Sequence, residues 1–210
     1  MTKKEKANII IKRLKQRYKE ASCSLDYNDE PYKLLISTRL AAQCTDERVN
    51  VVTKALFKKY PTIQSLAEAN IQNVIDIVKP CGIGNKKGQD IVEMCQQLIY
   101  KFNSKVPDNM DDLLSLPGVG RKTANLILGD VFKKPAIVTD THLIRITNRL
   151  GLVNEKNPKK IEDQLIKIIP KNESSDFCHR IVYFGRDICN ARKPLCFKCE
   201  LIDLCKYPIK

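Results

Sequence analysis

The sequence predicts an all-α fold. Apolar residues recur at helical spacing along almost the whole chain, each such stretch is bounded by Gly, Pro, Asn or Asp, and no segment sustains the period-2 alternation of a half-buried strand. Ile10, Leu14 and Tyr18 mark a first helix, Leu34, Leu35, Leu40 and Ala41 a second, and Val51, Val52, Ala55 and Leu56 a third. Further helices are predicted over 62–69, 71–79, 86–102, 111–115, 121–132, 141–150, 158–168 and 174–186. The run Ala136-Ile137-Val138 is at most briefly extended, and no sheet is expected. Neither a low-complexity linker nor a fixed-period repeat divides the chain, so a second lobe must join the first through short connections. A cleft between two helical lobes is the expected consequence.

Charge narrows the choice of partner. Against 24 acidic residues stand 37 Lys and Arg, a net +13 that suits a polyanion, nucleic acid first among them. A solvated lysine-rich surface gives the same balance with no partner, so charge alone leaves both readings open. Apolar runs such as Ile9 to Ile11 fall far short of the ~20 residues of a membrane span. Lys3, Lys4, Glu5 and Lys6 lead into an amphipathic pattern with neither signal core nor cleavage site, so the protein is expected to be cytoplasmic, at the nucleoid.

The segment Leu116-Pro117-Gly118-Val119-Gly120-Arg121-Lys122-Thr123-Ala124 lies between two helical patterns. Its glycines permit a tight turn with outward N–H groups, and the helix opening near Arg121 adds the positive end of its dipole. Such a helix-hairpin-helix element grips phosphate without reading base sequence, and by itself implies contact rather than catalysis. Lys122 falls in the first turn of the second helix, where its charge opposes the dipole. Burial and a helix N-terminus both favour a neutral, nucleophilic amine there, while a lysine that contacts phosphate is an equal reading of the motif alone.

Asp140 opens Asp140-Thr141-His142-Leu143-Ile144-Arg145 and is first of all an N-cap; at the mouth of a cleft its carboxylate could also stabilise positive charge developing on a sugar. Five of the nine cysteines, Cys23, Cys44, Cys81, Cys95 and Cys178, stand singly in apolar helical patterns, as buried thiols do. The other four, Cys189-x6-Cys196-x2-Cys199-x5-Cys205, form one loop able to enclose a tetrahedral zinc or a [4Fe-4S] cluster. Arg192 and Lys193 lie between the first two of these, making a basic finger suited to phosphate. His142 and His179 are expected to be hydrogen-bonded helix residues, since four thiols already complete a metal site.

LPGVGRKTA at 116–124, VTDTH at 138–142 and the C-x6-C-x2-C-x5-C loop, in that order, resemble the endonuclease III family. AAQCTDERVN at 41–50, GIGNKK at 82–87 and ARKPLC at 191–196 extend the likeness over nearly the whole chain. The resemblance implies a six-helix barrel with the helix-hairpin-helix at 26–133, and a helical domain of 1–25 with 134–210 that carries a [4Fe-4S] cluster on the loop 189–205. It implies a monomer acting on double-stranded DNA that holds a damaged base or an abasic site. The activity implied is that of a bifunctional DNA N-glycosylase and abasic-site lyase of base excision repair, which removes oxidised pyrimidines. Lys122 would be the nucleophile and Asp140 the carboxylate that steadies the cationic sugar. Gln43 and Ile83 resemble the residues that fill the space left by the extruded nucleotide, one polar toward the orphan base and one an apolar wedge; a buried helical Gln and a core Ile are the plainer reading. Leu116, Gly118, Val119, Gly120, Arg121, Arg192 and Lys193 would contact the DNA backbone. Two positions depart from the family pattern: Gly84 stands where an aromatic is frequent, and Ala41 where a serine is frequent. A non-catalytic DNA-binding iron–sulfur protein is the alternative that these motifs also allow, and an iron–sulfur electron carrier would leave the charge and the hairpin unexplained.

Overall fold

The computed structural model describes residues 1–207, and every regular element among them is helical. In chain order the helices are α1 (Lys3–Arg17), α2 (Pro31–Leu40), α3 (Asp46–Lys59), α4 (Ile63–Ala67), α5 (Ile71–Val78), α6 (Gly84–Phe102), α7 (Met110–Ser115), α8 (Arg121–Asp130), α9 (Thr141–Arg149), α10 (Pro158–Leu165) and α11 (Ser174–Asp187). None of them is long and apolar enough to cross a membrane.

Polar caps set the starts of most helices. Thr2 and Glu5 form a reciprocal capping box at α1, with Glu5 N–H donating to Thr2 Oγ1 at 3.2 Å and Thr2 N–H to Glu5 Oε2 at 2.7 Å. Thr45, Asn70, Asn109 and Asn157 cap α3, α5, α7 and α10 through side-chain oxygens. Helix α6 starts earlier than its apolar pattern indicates, because Ile83 in a left-handed conformation serves as its N-cap. In α3 the buried face is Val49, Val52, Thr53 and Leu56, whereas Val51 is 72% exposed and Ala55 is exposed. Thr53 is buried because its hydroxyl donates to the Val49 carbonyl at 2.9 Å, which lets a polar residue complete the 3.6-residue stripe.

The chain divides into two compact units, Ser24–Phe132 and Met1–Cys23 with Lys133–Lys210. In the first, α4 and α5 pack along α6 and α2 packs against α8. Contact between α5 and α6 is close because residue 88 is glycine: a Cβ there would lie 2.5 Å from Ile75 Cγ1 and 3.0 Å from Ile75 Cα. Ile91, Met94, Cys95 and Leu98 of α6 are then fully buried.

In the second unit α11 packs on α1 and α9. Buried Arg180 of α11 donates from Nε to the Tyr18 carbonyl at 3.2 Å and from Nη2 to Asp176 at 2.8 Å, so the end of α1 is satisfied by a paired cation. Residues 136–138 are buried and form no regular element. Ala136 N–H donates to Ser174 Oγ at 3.1 Å and Val138 N–H to Cys178 Sγ at 3.3 Å, so side chains of α11 replace a sheet partner. Of the single cysteines, Cys95 and Cys178 are buried in helices and Cys81 in a short 3-10 turn, but Cys23 and Cys44 sit half-buried in non-helical chain, against the expectation that all five are helical.

Candidate nucleic-acid interface and catalytic residues

The hairpin consists of α7, the turn 116–120 and α8. Leu116 N–H donates to the Leu113 carbonyl and Val119 N–H to the Leu116 carbonyl, each at 3.2 Å, which folds the turn back on α7. Gly118 has φ +71°, and a Cβ on it would lie 2.5 Å from Arg39 Nε and 2.8 Å from Asp90 Oδ2, so glycine is required both for conformation and for space. Beneath the turn, Arg39 Nε donates to Asp90 Oδ2 at 2.7 Å, and Lys86 Nζ lies 3.0 Å from Asp90 Oδ1. Asp90 is 2% exposed, a buried carboxylate held by two cations. Asp90→Asn leaves Arg39 without its counter-charge, and we expect a loss of the order of 3 kcal/mol, seen as a fall of roughly 10 °C in melting temperature. A melting temperature within a degree or two of the parent sequence refutes this support for the turn.

Gly120 is the N-cap of α8. It brings no side-chain cap, and the space where its Cβ would point is open. An anion can therefore approach the N-terminus of α8. Leu116 and Val119 are buried, so any DNA contact they make must come from their backbone, and their side chains anchor the turn. Lys122, in the first turn of α8, is exposed. Its amine is thus open to an approaching group at the N-terminal end of α8.

Asp140 caps α9, with φ −103° and ψ −179°, and its Oδ1 accepts from Leu143 N–H at 2.7 Å. The cap reading holds, and it occupies one carboxylate oxygen. The segment 136–138, pinned to α11, delivers Asp140 to this position. His142 Nδ1 lies 3.2 Å from Arg145 Nη2, a helix hydrogen bond rather than a ligand position.

Two arginines of α9 hold the cysteine loop. Arg145 donates to the carbonyls of Cys189 and Gly185 at 3.0 and 3.2 Å, and Gly185 is a glycine because a Cβ there would sit 2.4 Å from His142 Nδ1. Arg149 donates to the Asn190 and Ala191 carbonyls at 2.8 Å each and to Cys189 Sγ at 3.3 Å, and its guanidinium stacks 4.7 Å from the Tyr207 ring centroid. Cys189, Cys196, Cys199 and Cys205 line one mostly apolar cavity with Leu150, Phe184, Ile188 and Ile202. Burial pushes the Cys199 thiol up to about 11 and raises that of Cys205; a bound cationic centre acts in the opposite direction and favours thiolate. Among the described residues, no three His, Cys, Asp or Glu side chains come close enough together to hold a single metal ion. Arg192 and Lys193 are exposed on the loop, as are Phe197 and Lys198.

Gln43 and Ile83 belong to the first unit, and neither is the buried residue of the plainer reading. Gln43 is exposed in a turn beyond α2 with φ +59°, and Ile83 is 58% exposed with φ +49°. A β-branched residue in the left-handed region, presenting its side chain to solvent, is strained and unshielded at once. Gly84 follows from the same turn: a Cβ there would lie 2.9 Å from Lys79 Cα, so the turn excludes any side chain, including the aromatic frequent at this position. Arg39, Asp90, Lys87, Arg145 and Arg149 escaped the sequence reading, because each acts on backbone or on a distant charge and no local motif marks it.

The description "HhH-GPD superfamily base excision DNA repair protein" matches residues 36–171. Endonuclease III of Synechocystis sp. is 45% identical over 205 residues, covering 97% of this chain and 93% of that protein. Endonuclease III of Escherichia coli (strain K12) is 36% identical, covering 96% and 95%. Among solved structures, a trapped endonuclease III–DNA covalent intermediate superposes with a TM-score of 0.92 at 39% identity, covering 98% of this chain and 97% of that one. A thermostable thymine-DNA glycosylase at 24% identity shares the fold, with a TM-score of 0.88. With its glycine hairpin, its helix-capping aspartate and its four-cysteine loop in the family's order, the chain belongs to the endonuclease III family of the HhH-GPD superfamily of base excision DNA repair proteins.

Proposed function

We propose that this protein is a bifunctional DNA N-glycosylase and abasic-site lyase that removes oxidised pyrimidines from duplex DNA. The observation that carries the reading is Lys122, exposed in the first turn of a helix whose N-terminus is open to an anion, following a turn that only glycine can make. A covalent protein–DNA intermediate, as trapped in the endonuclease III structure, is what a nucleophilic lysine at this place would form.

The hairpin backbone at Leu116, Gly118, Val119 and Gly120, with Arg121 beside it, holds phosphates, and Arg192 and Lys193 add a second basic contact. Binding at these points is independent of sequence, so selectivity rests on which nucleotide leaves the stack most easily. Ile83 enters the vacated space and Gln43 faces the orphan base. Neutral Lys122 Nζ then attacks C1′ as the glycosidic bond breaks and the base departs with its electron pair. The Asp140 carboxylate stabilises the positive charge developing on the sugar. Loss of a proton from the amine opens the sugar to a Schiff base, and removal of a C2′ proton expels the 3′ phosphate by β-elimination. Water releases the lysine. Borohydride reduction of the reaction on a thymine glycol duplex tests the whole sequence: a covalent adduct is expected, and binding without any adduct favours the non-catalytic alternative.

A [4Fe-4S] cluster is the group we assign to the cysteine loop. Its four thiols line one mostly apolar cavity, a lining that suits a cluster held by four thiolates. Cys189, Cys196, Cys199 and Cys205 would hold the cluster, with the Arg149 guanidinium donating to Cys189 Sγ and Tyr207 N–H to Cys205 Sγ, each at 3.3 Å. When bound it supplies a rigid, redox-capable pin for the basic finger, and none of the steps above requires an electron. The purified protein is expected to be yellow-brown with about four irons per chain; one zinc per chain overturns the assignment. Cys199→Ser should lose affinity for an abasic duplex before it loses far-UV helicity, since the finger has little apolar surface of its own. Unchanged affinity after cluster loss excludes the finger from DNA binding.

A further inference from the structure

Lys87 is fully buried, and no carboxylate is bonded to its ammonium. Its Nζ donates instead to three backbone carbonyls, those of Leu40 at 2.9 Å, Ala42 at 2.7 Å and Cys81 at 2.7 Å. An ammonium has three donors, and here every one is used. The acceptors come from two separate segments. Leu40 ends α2 and Ala42 precedes Gln43; Cys81 ends the 3-10 turn two residues before Ile83. The backbone N–H of Lys87 also donates to the Ile83 carbonyl at 3.1 Å, so one residue grips the Ile83 turn from both its main chain and its side chain. Beside it, the thiols of Cys44 and Cys81 lie near each other across the same junction.

A buried cation without a counter-ion is costly to fold around, and a hydrophobic side chain of similar length would fill the space without that cost. Strained backbone likewise persists only where its surroundings over-determine it. Both peculiarities meet here, because the two segments that Lys87 joins carry Gln43 and Ile83, each exposed and left-handed without being glycine.

We propose that Lys87 is a positioning residue for base extrusion, its ammonium fixing the Gln43 and Ile83 turns at the spacing at which both enter the duplex together. The proposal rests on the roles given above to Gln43 and Ile83. A prearranged pair pays no ordering entropy on the DNA, whereas two independent loops must each be immobilised there.

Lys87→Met keeps the length and burial of the side chain and removes all three donors. Three measurements on one preparation separate positioning from folding: single-turnover removal of thymine glycol from duplex, fluorescence of 2-aminopurine placed opposite an abasic analogue, and borohydride trapping on an abasic site in single-stranded DNA, where no stack has to be opened. We expect duplex base removal to fall about tenfold to a hundredfold, as misplacement by an ångström does. The 2-aminopurine signal of the unstacked orphan base should fall with it, while single-strand trapping stays within about twofold, since one internal charge adds little to phosphate binding. Lys87→Arg, which keeps donors for the same carbonyls, should restore part of the duplex activity, and it takes the place of Lys87→Met in the same duplex-to-single-strand comparison if the latter does not fold.

Equal losses on duplex and single strand show a general folding role and overturn the proposal. Ile83→Gly serves as the reference for the wedge itself. If it lowers duplex activity and Lys87→Met does not, the positioning role is wrong and the wedge stands; if Ile83→Gly changes nothing, the wedge reading fails and the positioning role falls with it.

Discussion

Lys122→Gln should abolish the borohydride-trapped adduct. The substitution removes the only feature of this side chain that the chemistry uses, an amine that can displace the base and then form an imine; an amide nitrogen is not basic and does neither. The fold should not suffer. Lys122 is exposed in the first turn of α8, where a cation opposes the helix dipole, so a neutral residue there is neutral to mildly stabilising, by a few tenths of a kcal/mol. Binding to an abasic-analogue duplex should stay within severalfold, because one charge is lost among many phosphate contacts and the salt slope falls by about 0.9 at most. Binding and the adduct are therefore expected to separate by orders of magnitude. An adduct that persists overturns Lys122 as nucleophile, and a parallel collapse of binding assigns it to phosphate contact.

The helical class was legible because the 3.6-residue apolar stripe is imposed by burial itself, and each stripe is bracketed by residues that cap or break a helix. The stripe misplaced one face, in α3, because Thr53 buries a hydroxyl by bonding it to Val49, and an apolarity pattern passes over such a residue. Gly118, Asp140 and the four cysteines were legible for another reason: a tight turn, a cap and a thiol loop are local, and their spacing is written in consecutive residues. The supports of the site were not legible. Asp90 is separated from Arg39 by 51 positions, and Lys87 satisfies main-chain carbonyls, which every residue has and no sequence distinguishes. Nor does composition announce the left-handed backbone of Gln43 and Ile83, since that conformation is normally signalled by glycine or asparagine. Strain of this kind is fixed by tertiary bonds, and it is visible only once those bonds are seen.

Asp140→Asn should separate stability from catalysis in the second unit as Lys122→Gln does in the first. Asparagine is as good an N-cap as aspartate, and its side-chain oxygen can accept from Leu143 N–H as Oδ1 does now at 2.7 Å. The lost carboxylate charge weakens the interaction with the dipole of α9, so the cost to folding should be about 1 kcal/mol at most. Arg145 and Arg149 continue to hold the cysteine loop through backbone carbonyls, which do not depend on residue 140. Base removal is different. A neutral amide offers no negative charge to a sugar that is losing its base, and deleting one preorganised electrostatic contact to a developing charge costs about 10²–10³ in rate. Cleavage of a pre-formed abasic site, which has already lost its base, should fall less than removal of thymine glycol, because the step that builds positive charge at C1′ is then bypassed. Melting temperature, single-turnover base removal and single-turnover cleavage of an abasic duplex, measured on one preparation, decide the matter. If all three decline together, Asp140 serves as a helix cap alone; if base removal falls by orders of magnitude at nearly constant melting temperature, its carboxylate acts on the sugar.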